Sequence, residues 1–149
     1  MRKTDSITEI FFFFIFGGLT YYTIEILYRG YSHYSMFLCG GIVFYSISLF
    51  NRRYNYTLHL VTRMIVSALI ITVIELLFGI FFNLILLKQV WNYSTHFYNY
   101  RGQICLTFSI LWFFLSLPVL YTEEKIRFLL FHLKLSSTVN SVTEDLPCK

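Results

Sequence analysis

Two acidic residues inside long apolar runs are the side chains best placed to do chemistry. Glu25 is followed four residues later by Arg29, a spacing that puts both on one face of a helix. Glu75 has no charged neighbour nearby in the sequence. In a membrane span an acid normally faces a partner, a cavity or the bundle interior. Glu25 and Arg29 could form a structural ion pair or have a functional role. For Glu75 we favour a functional role over that of a structural polar anchor.

A second group of polar and aromatic candidates lies in the connections between the apolar runs: His33, Trp91, Asn92, His96 and Arg101. The histidines, together with the two glutamates, could form a proton relay or a metal site. No HExxH motif and no Cys/His spacing typical of zinc supports the metal interpretation. We therefore predict ordinary interfacial histidines, and neither a metal nor a cofactor. Arg29 and Arg101 could bind an anionic head group, although snorkelling to the interface is the simpler interpretation.

The composition indicates a membrane protein. Of the 149 residues, 56% are hydrophobic and 13% are charged, whereas soluble domains have about 25% charged residues. The basic residues flank apolar runs singly or in pairs, so we predict the lipid bilayer as a partner and no nucleic acid. The sequence contains neither GxxxxGK[ST] nor a GxGxxG motif after a strand. The predicted fold class is all-α, a multi-pass transmembrane helical bundle.

Four apolar runs approach the length of about 20 residues that a membrane span needs. The predicted spans cover about residues 7–28, 35–50, 58–83 and 103–121 of a single membrane domain, residues 1–134. The third run continues, so residues 84–94 either extend a tilted span or lie along the interface, which Trp91 favours.

The sequence after the fourth run predicts a short cytoplasmic amphipathic helix over residues 122–134. Glu123 and Glu124 suit a helix N-terminus, and apolar residues recur after them at helical spacing. Residues 135–149 are polar and are predicted to be disordered.

The distribution of Lys and Arg predicts the orientation. Nine of these residues fall on the side shared by both termini and the middle connection, and three fall on the other: Arg29, Lys88 and Arg101. The positive-inside rule then places both termini in the cytoplasm.

The most distinctive strings lie in the third connection and the fourth run. They are Trp91-Asn92-Tyr93-Ser94, Arg101-Gly102-Gln103-Ile104-Cys105-Leu106 and Ser109-Ile110-Leu111-Trp112. With the run from Ile24 to Phe37 and Gly40-Gly41, they resemble the putative ABC-transporter type IV family of bacterial membrane proteins, also called CmpB-like permeases. Asn92 and His96 stand where that family often has Asp and Pro.

The resemblance implies a transporter permease component in a bacterial plasma membrane, acting as a homo-oligomer or with a partner subunit. The alternative is a non-transporting accessory, scaffold or holin-like membrane protein. An enzyme acting on lipid would need the two glutamates and two histidines within hydrogen-bond reach of each other. We expect the protein not to be an enzyme.

Overall fold

The computed structural model describes residues 7–55 and 57–144 as a helical bundle. Its helices are α1 (Ile7–Arg29), α2 (Tyr34–Tyr54), α3 (Leu60–Phe78) and α4 (Leu106–Glu144). A π-helical segment, Gly79–Ile85, continues α3. Two strands of two residues each, β1 (Asn99–Tyr100) and β2 (Ile104–Cys105), pair antiparallel in the connection before α4.

Four helices in the described part of the chain are long and apolar enough to cross a membrane. These candidate spans are Ile7–Arg29, Tyr34–Tyr54, Leu60–Ile85 and Leu106–Leu130. The predicted all-α fold with four spans is therefore confirmed. Residues 86–98 contain no helix, so the third span ends at Ile85 and does not run on through the tryptophan-bearing segment.

The contact between α1 and α2 depends on glycines that let the two backbones approach closely. A Cβ added at Gly17 would lie 2.2 Å from Cβ of Phe44, and one added at Gly40 would lie 2.4 Å from Cβ of Tyr21. Small residues at helix crossings are typical of membrane bundles, where association depends on packing. In the sequence these glycines occur in two pairs, Gly17-Gly18 and Gly40-Gly41. In the structure each pair lies against the other helix, where a Cβ would not fit.

The main buried core lies where α2, α3 and α4 meet. Ile47 and Leu120 are almost fully buried in it, together with Met64 and Ile71 of α3. Because α1 packs mainly on α2, its remaining faces carry exposed apolar side chains such as Leu19 and Leu27. Exposed apolar side chains on a spanning helix are compatible with lipid as the surrounding solvent.

Residues 86–105, here called the long loop, lie at one end of the bundle. The ends of α1 and α3 and the starts of α2 and α4 meet there, and we call this the loop end. The base end is the opposite one, where Arg63 lies in the first turn of α3 and Asn51 lies near the end of α2. These two ends carry most of the buried polar side chains.

Two predictions for the C-terminal part are corrected. The structure has no separate helix over residues 122–134, because α4 continues through them to Glu144. Glu123 and Glu124 do not start a new helix, since their carboxylates bind side chains of α2, α3 and α4. The predicted disordered tail begins inside this helix, which extends to Glu144. Residues 145–149 lie outside the described residues.

Candidate functional site

Glu75 is held at the loop end by two donors that are distant in sequence. Its side chain is buried, with 3% exposed. The hydroxyl of Tyr93 in the long loop donates to Oε1 at 2.9 Å, and Nε1 of Trp112 in α4 donates to Oε2 at 2.9 Å. Both carboxylate oxygens therefore accept a hydrogen bond. Glu75 joins α3 to the long loop and to α4.

The phenol of Tyr93 is a constant donor to this carboxylate. Burial and the neighbouring Glu75 raise the pKa of Tyr93 well above its usual range. The ring also stacks on Phe108, with centroids 4.5 Å apart. The hydroxyl consequently stays protonated at physiological pH and keeps donating to Glu75.

Asn83 fastens the long loop to the end of the third span. Its Nδ2 donates to the carbonyl of Trp91 at 3.0 Å and to Oε1 of Gln103 at 2.8 Å. Its Oδ1 accepts from the amide of Val90 at 2.6 Å. The indole of Trp91, itself buried, donates to the carbonyl of Gln103 at 2.9 Å. These bonds satisfy polar groups that would otherwise be buried without partners.

The predicted pair of Glu25 and Arg29 forms in the structure and reaches further than one helix. Arg29 pairs with Glu25 through Nη2, while its Nη1 donates to the carbonyl of Val90 at 3.0 Å. Ser32 also donates to Glu25. The pair therefore links α1 to the long loop. The short-range part of this arrangement follows from the i, i+4 spacing, and the contact with the loop does not.

The two histidines have separate partners. Nδ1 of His33 accepts from the amide of Ser35 at 3.2 Å, so His33 caps the start of α2. His96 is exposed, and its ring packs near Tyr93 and Phe108. Among the described residues, no hydrogen bond joins either histidine to Glu25 or Glu75. No group of three His, Cys, Asp or Glu side chains in that part of the chain could hold a metal ion.

The long loop has a strained backbone that its contacts must maintain. In the described chain, four residues other than glycine have positive φ, and all lie in this loop: Leu87, Gln89, Tyr98 and Arg101. Such conformations persist where surrounding contacts impose them. Arg101 and Asn92 are exposed, and the Asn92 side chain accepts from the amide of Ser94 at 2.9 Å. In the described part of the chain, the donors to Glu75 are Tyr93 and Trp112, and neither of these two predicted site residues is among them.

Replacing Asn83 with leucine is expected to free the long loop. The substitution leaves the amide of Val90 and the groups on Trp91 and Gln103 without partners, at a cost of about 1–3 kcal/mol for a buried group. Trypsin should then cleave after Lys88 or Arg101 at least ~10-fold faster in detergent micelles. Asn92→Leu is the matched control, because Asn92 is exposed and bonds only within the loop. Equal cleavage rates for the two variants would contradict the role given to Asn83.

A second polar cluster, at the base end, surrounds Glu123. This side chain is completely buried. It accepts from Oγ of Ser48 at 3.0 Å, from Asn51 and from Arg127, whose Nη2 also donates to the carbonyl of Ser48 at 3.0 Å. Arg127 lies over the ring of Phe13 at 5.5 Å. The cluster therefore joins α4 to α2 and α1.

Sequence reasoning missed this base-end cluster. Arg63, buried in α3, pairs with Glu124 next to it. The i, i+4 spacing of Glu123 and Arg127 was a usable signal for an ion pair. The burial of Glu123 was not predictable, because it depends on where α2 crosses α4.

Most of the chain matches a known protein family. The sequence profile of the family described as "Putative ABC-transporter type IV" matches residues 9–143. The chain belongs to this family. No curated protein and no solved structure matches it.

The match to the type IV family spans both polar clusters and the long loop. The strings that resemble the family in sequence include the loop's main anchors, Trp91 and Gln103, and the donor Trp112. These residues hold the loop against the third span and bind Glu75. In this type IV protein these residues therefore have a structural role, which is to hold the long loop in place at the loop end.

Proposed function

We propose that this chain is the membrane component of an ABC-type transporter, acting as an oligomer or beside a separate subunit that hydrolyses ATP. The family match over residues 9–143 is the observation that carries the proposal. The four candidate spans supply a membrane part. The sequence has no phosphate-binding glycine loop, so nucleotide hydrolysis belongs to a partner.

The part of the structure best suited to transport is the region around Glu75. Trp112, which donates to this carboxylate, also lines an apolar cavity of about 200 Å³ between the helices, and so does Tyr21. A buried acid within a span is by default a candidate for a functional site. We assign Glu75 a coupling role, in which its proton or its hydrogen bonds change as solute moves.

Glu75→Gln is expected to abolish transport. The amide keeps the size of the side chain but removes the charge. Its N–H groups also face either Tyr93 or Trp112, which are both donors, so one hydrogen bond is lost. Tyr93→Phe is the matched control, because it removes one of the same hydrogen bonds and keeps the carboxylate. A strain lacking the protein, complemented with each variant, is compared by mass spectrometry of solutes in cells and medium. The wild type and Tyr93→Phe should restore the distribution, and Glu75→Gln should not.

Full restoration by Glu75→Gln would contradict the coupling role of Glu75. A solute distribution that does not differ between the deletion strain and the wild-type complement would contradict transport itself. Both variants are first shown to reach the membrane in equal amounts, so that a folding defect is separated from a loss of coupling.

The geometry of Glu75 also favours a second candidate function, a non-transporting accessory or scaffold protein. Both oxygens of Glu75 bind aromatic donors, as a structural tie between α3, α4 and the long loop requires. Under this proposal, a strain that lacks the protein has an unchanged solute distribution but contains less of a membrane complex. Catalysis is not proposed, because the histidines and glutamates have separate partners within the described residues.

The proposed orientation places the base end in the cytoplasm of a bacterial cell, by the positive-inside rule. Arg52, Arg53, Arg63, Lys125 and Arg127 lie toward that end.

Thiol labelling tests this orientation. Cys148 should react with a membrane-impermeant maleimide only after the cells are permeabilised. In a Cys148→Ser background, Lys88→Cys in the exposed part of the long loop should react in intact cells. The reverse pattern of labelling would contradict the orientation. Cys39 and Cys105 are buried and provide little background.

A further inference from the structure

Two cavities follow one another along α4. The first, of about 200 Å³, is lined by all four helices, with Thr20, Gly40, Ile71, Trp112 and Thr122 among its walls. The second, of about 370 Å³, lies at the base end, and its lining includes Asn51, Arg52, Glu123, Glu124, Arg127 and Phe128. Thr122 borders the first cavity and Glu123 borders the second. The two cavities are therefore consecutive along this helix.

The first cavity suits an apolar chain. Its walls lie within the candidate spans, and they extend on α4 from Trp112 to Thr122, which is about 15 Å of helix. Apolar cavities of this kind do not hold water, and an empty one forfeits dispersion contacts along its walls. Inside a bilayer, the material at hand to fill it is an acyl chain.

The second cavity has a mixed and balanced charge. Its lining contains two arginines, Arg52 and Arg127, and two glutamates, Glu123 and Glu124. A ligand of a single charge sign would meet repulsion from one pair. A group carrying both signs matches the lining best.

The wall of the second cavity contains one buried acceptor that is not open to a ligand. Asn51 lines it and is only 1% exposed, and its Oδ1 has no hydrogen-bond partner among the described residues. The amide orientation is fixed, because Nδ2 donates to the carboxylate of Glu123. A buried acceptor left alone is costly. Because this oxygen is closed to solvent, the acceptor that a ligand can reach in this lining is Glu124, whose side chain is 39% exposed.

We propose that the two cavities together hold one phospholipid whose head group carries a phosphate and a primary ammonium. One of its two acyl chains lies in the first cavity. Arg52 and Arg127 face the phosphate, which guanidinium groups bind well. The ammonium donates toward Glu124. A choline head group lacks N–H donors, and a glycerol head group lacks the positive charge, so both fit less well. This proposal does not depend on a transport function.

The test is native mass spectrometry of the delipidated full chain, titrated with phosphatidylethanolamine, phosphatidylcholine and phosphatidylglycerol that share the same acyl chains. We expect the ethanolamine lipid to be retained about tenfold more than the choline lipid, the effect of one charge-assisted hydrogen bond. Equal retention of these two lipids, or stronger retention of the glycerol lipid, would overturn the proposal.

Two pairs of variants separate the head-group and chain sites. Arg52→Gln should lower retention of the ethanolamine lipid about fivefold or more, while Arg53→Gln, outside the cavity lining, should not. Thr20→Trp fills the first cavity and should lower retention of all three lipids, whereas Leu19→Trp on the lipid-exposed face should not. Circular dichroism first confirms equal helicity. A variant that behaves like its control overturns the corresponding half of the site.

Discussion

Glu123→Gln is expected to lower the free energy of unfolding by about 3 kcal/mol, the lower end of the range for breaking a buried ion pair. The lower end applies because Arg127 is 30% exposed, although Glu123 is completely buried. The amide no longer neutralises Arg127, and one of its N–H groups is directed at existing donors on Ser48 and Asn51. Thermal unfolding in detergent micelles, followed by circular dichroism, measures the loss.

A double-mutant cycle identifies the cause of this loss. Arg127→Gln in the Glu123→Gln background should cost much less than Arg127→Gln in the wild type, because the partner is already gone. Lys125→Gln is the control on the same helix, where Lys125 is exposed and lies over Tyr121. We expect it to cost less than about 1 kcal/mol. Additive effects of the Glu123 and Arg127 substitutions would contradict a coupled pair.

Gly17→Ala is expected to cost about 2–3 kcal/mol, near the upper part of the range for overpacking. The new Cβ would lie 2.2 Å from Cβ of Phe44 and 2.7 Å from the backbone oxygen of Gly40. The backbone atom cannot rotate away, so α1 and α2 must separate. The same thermal measurement checks this loss of stability.

The control for the glycine contact is Leu19→Ala, two residues further along α1. Leu19 is 55% exposed, and its side chain faces away from the close contact. We expect this control to change the free energy of unfolding by less than about 0.5 kcal/mol. Gly17→Ala with wild-type stability would show that the two helices do not cross as closely as described.

Residue types and spacing were enough to predict the spans, because apolar length alone distinguishes a membrane helix. They also predicted the pair of Glu25 and Arg29, whose spacing is local. They did not predict that Glu75 would bind Tyr93 and Trp112, since those contacts depend on how the long loop folds back across the loop end. No local spacing of residues in the sequence marks long-range side-chain contacts of this kind.

The error after residue 121 has a similar origin. A charged string, Thr122-Glu123-Glu124-Lys125, suggests the end of a span when it is considered alone. In the bundle, Glu123 finds Ser48 and Asn51 on α2, and Glu124 finds Arg63 on α3. Partners on other helices let the charges continue α4 without a break. A single sequence does not show which helices will be neighbours.

The proposed function requires an ATP-hydrolysing partner for this type IV protein. The most direct test is to purify the tagged full chain from its own membranes in mild detergent, transfer it to nanodiscs and measure ATP hydrolysis. We expect a nucleotide-hydrolysing subunit to co-purify in a fixed ratio and the nanodiscs to hydrolyse ATP. Nanodiscs with no such subunit, and no hydrolysis above that of an unrelated four-span protein, would contradict it.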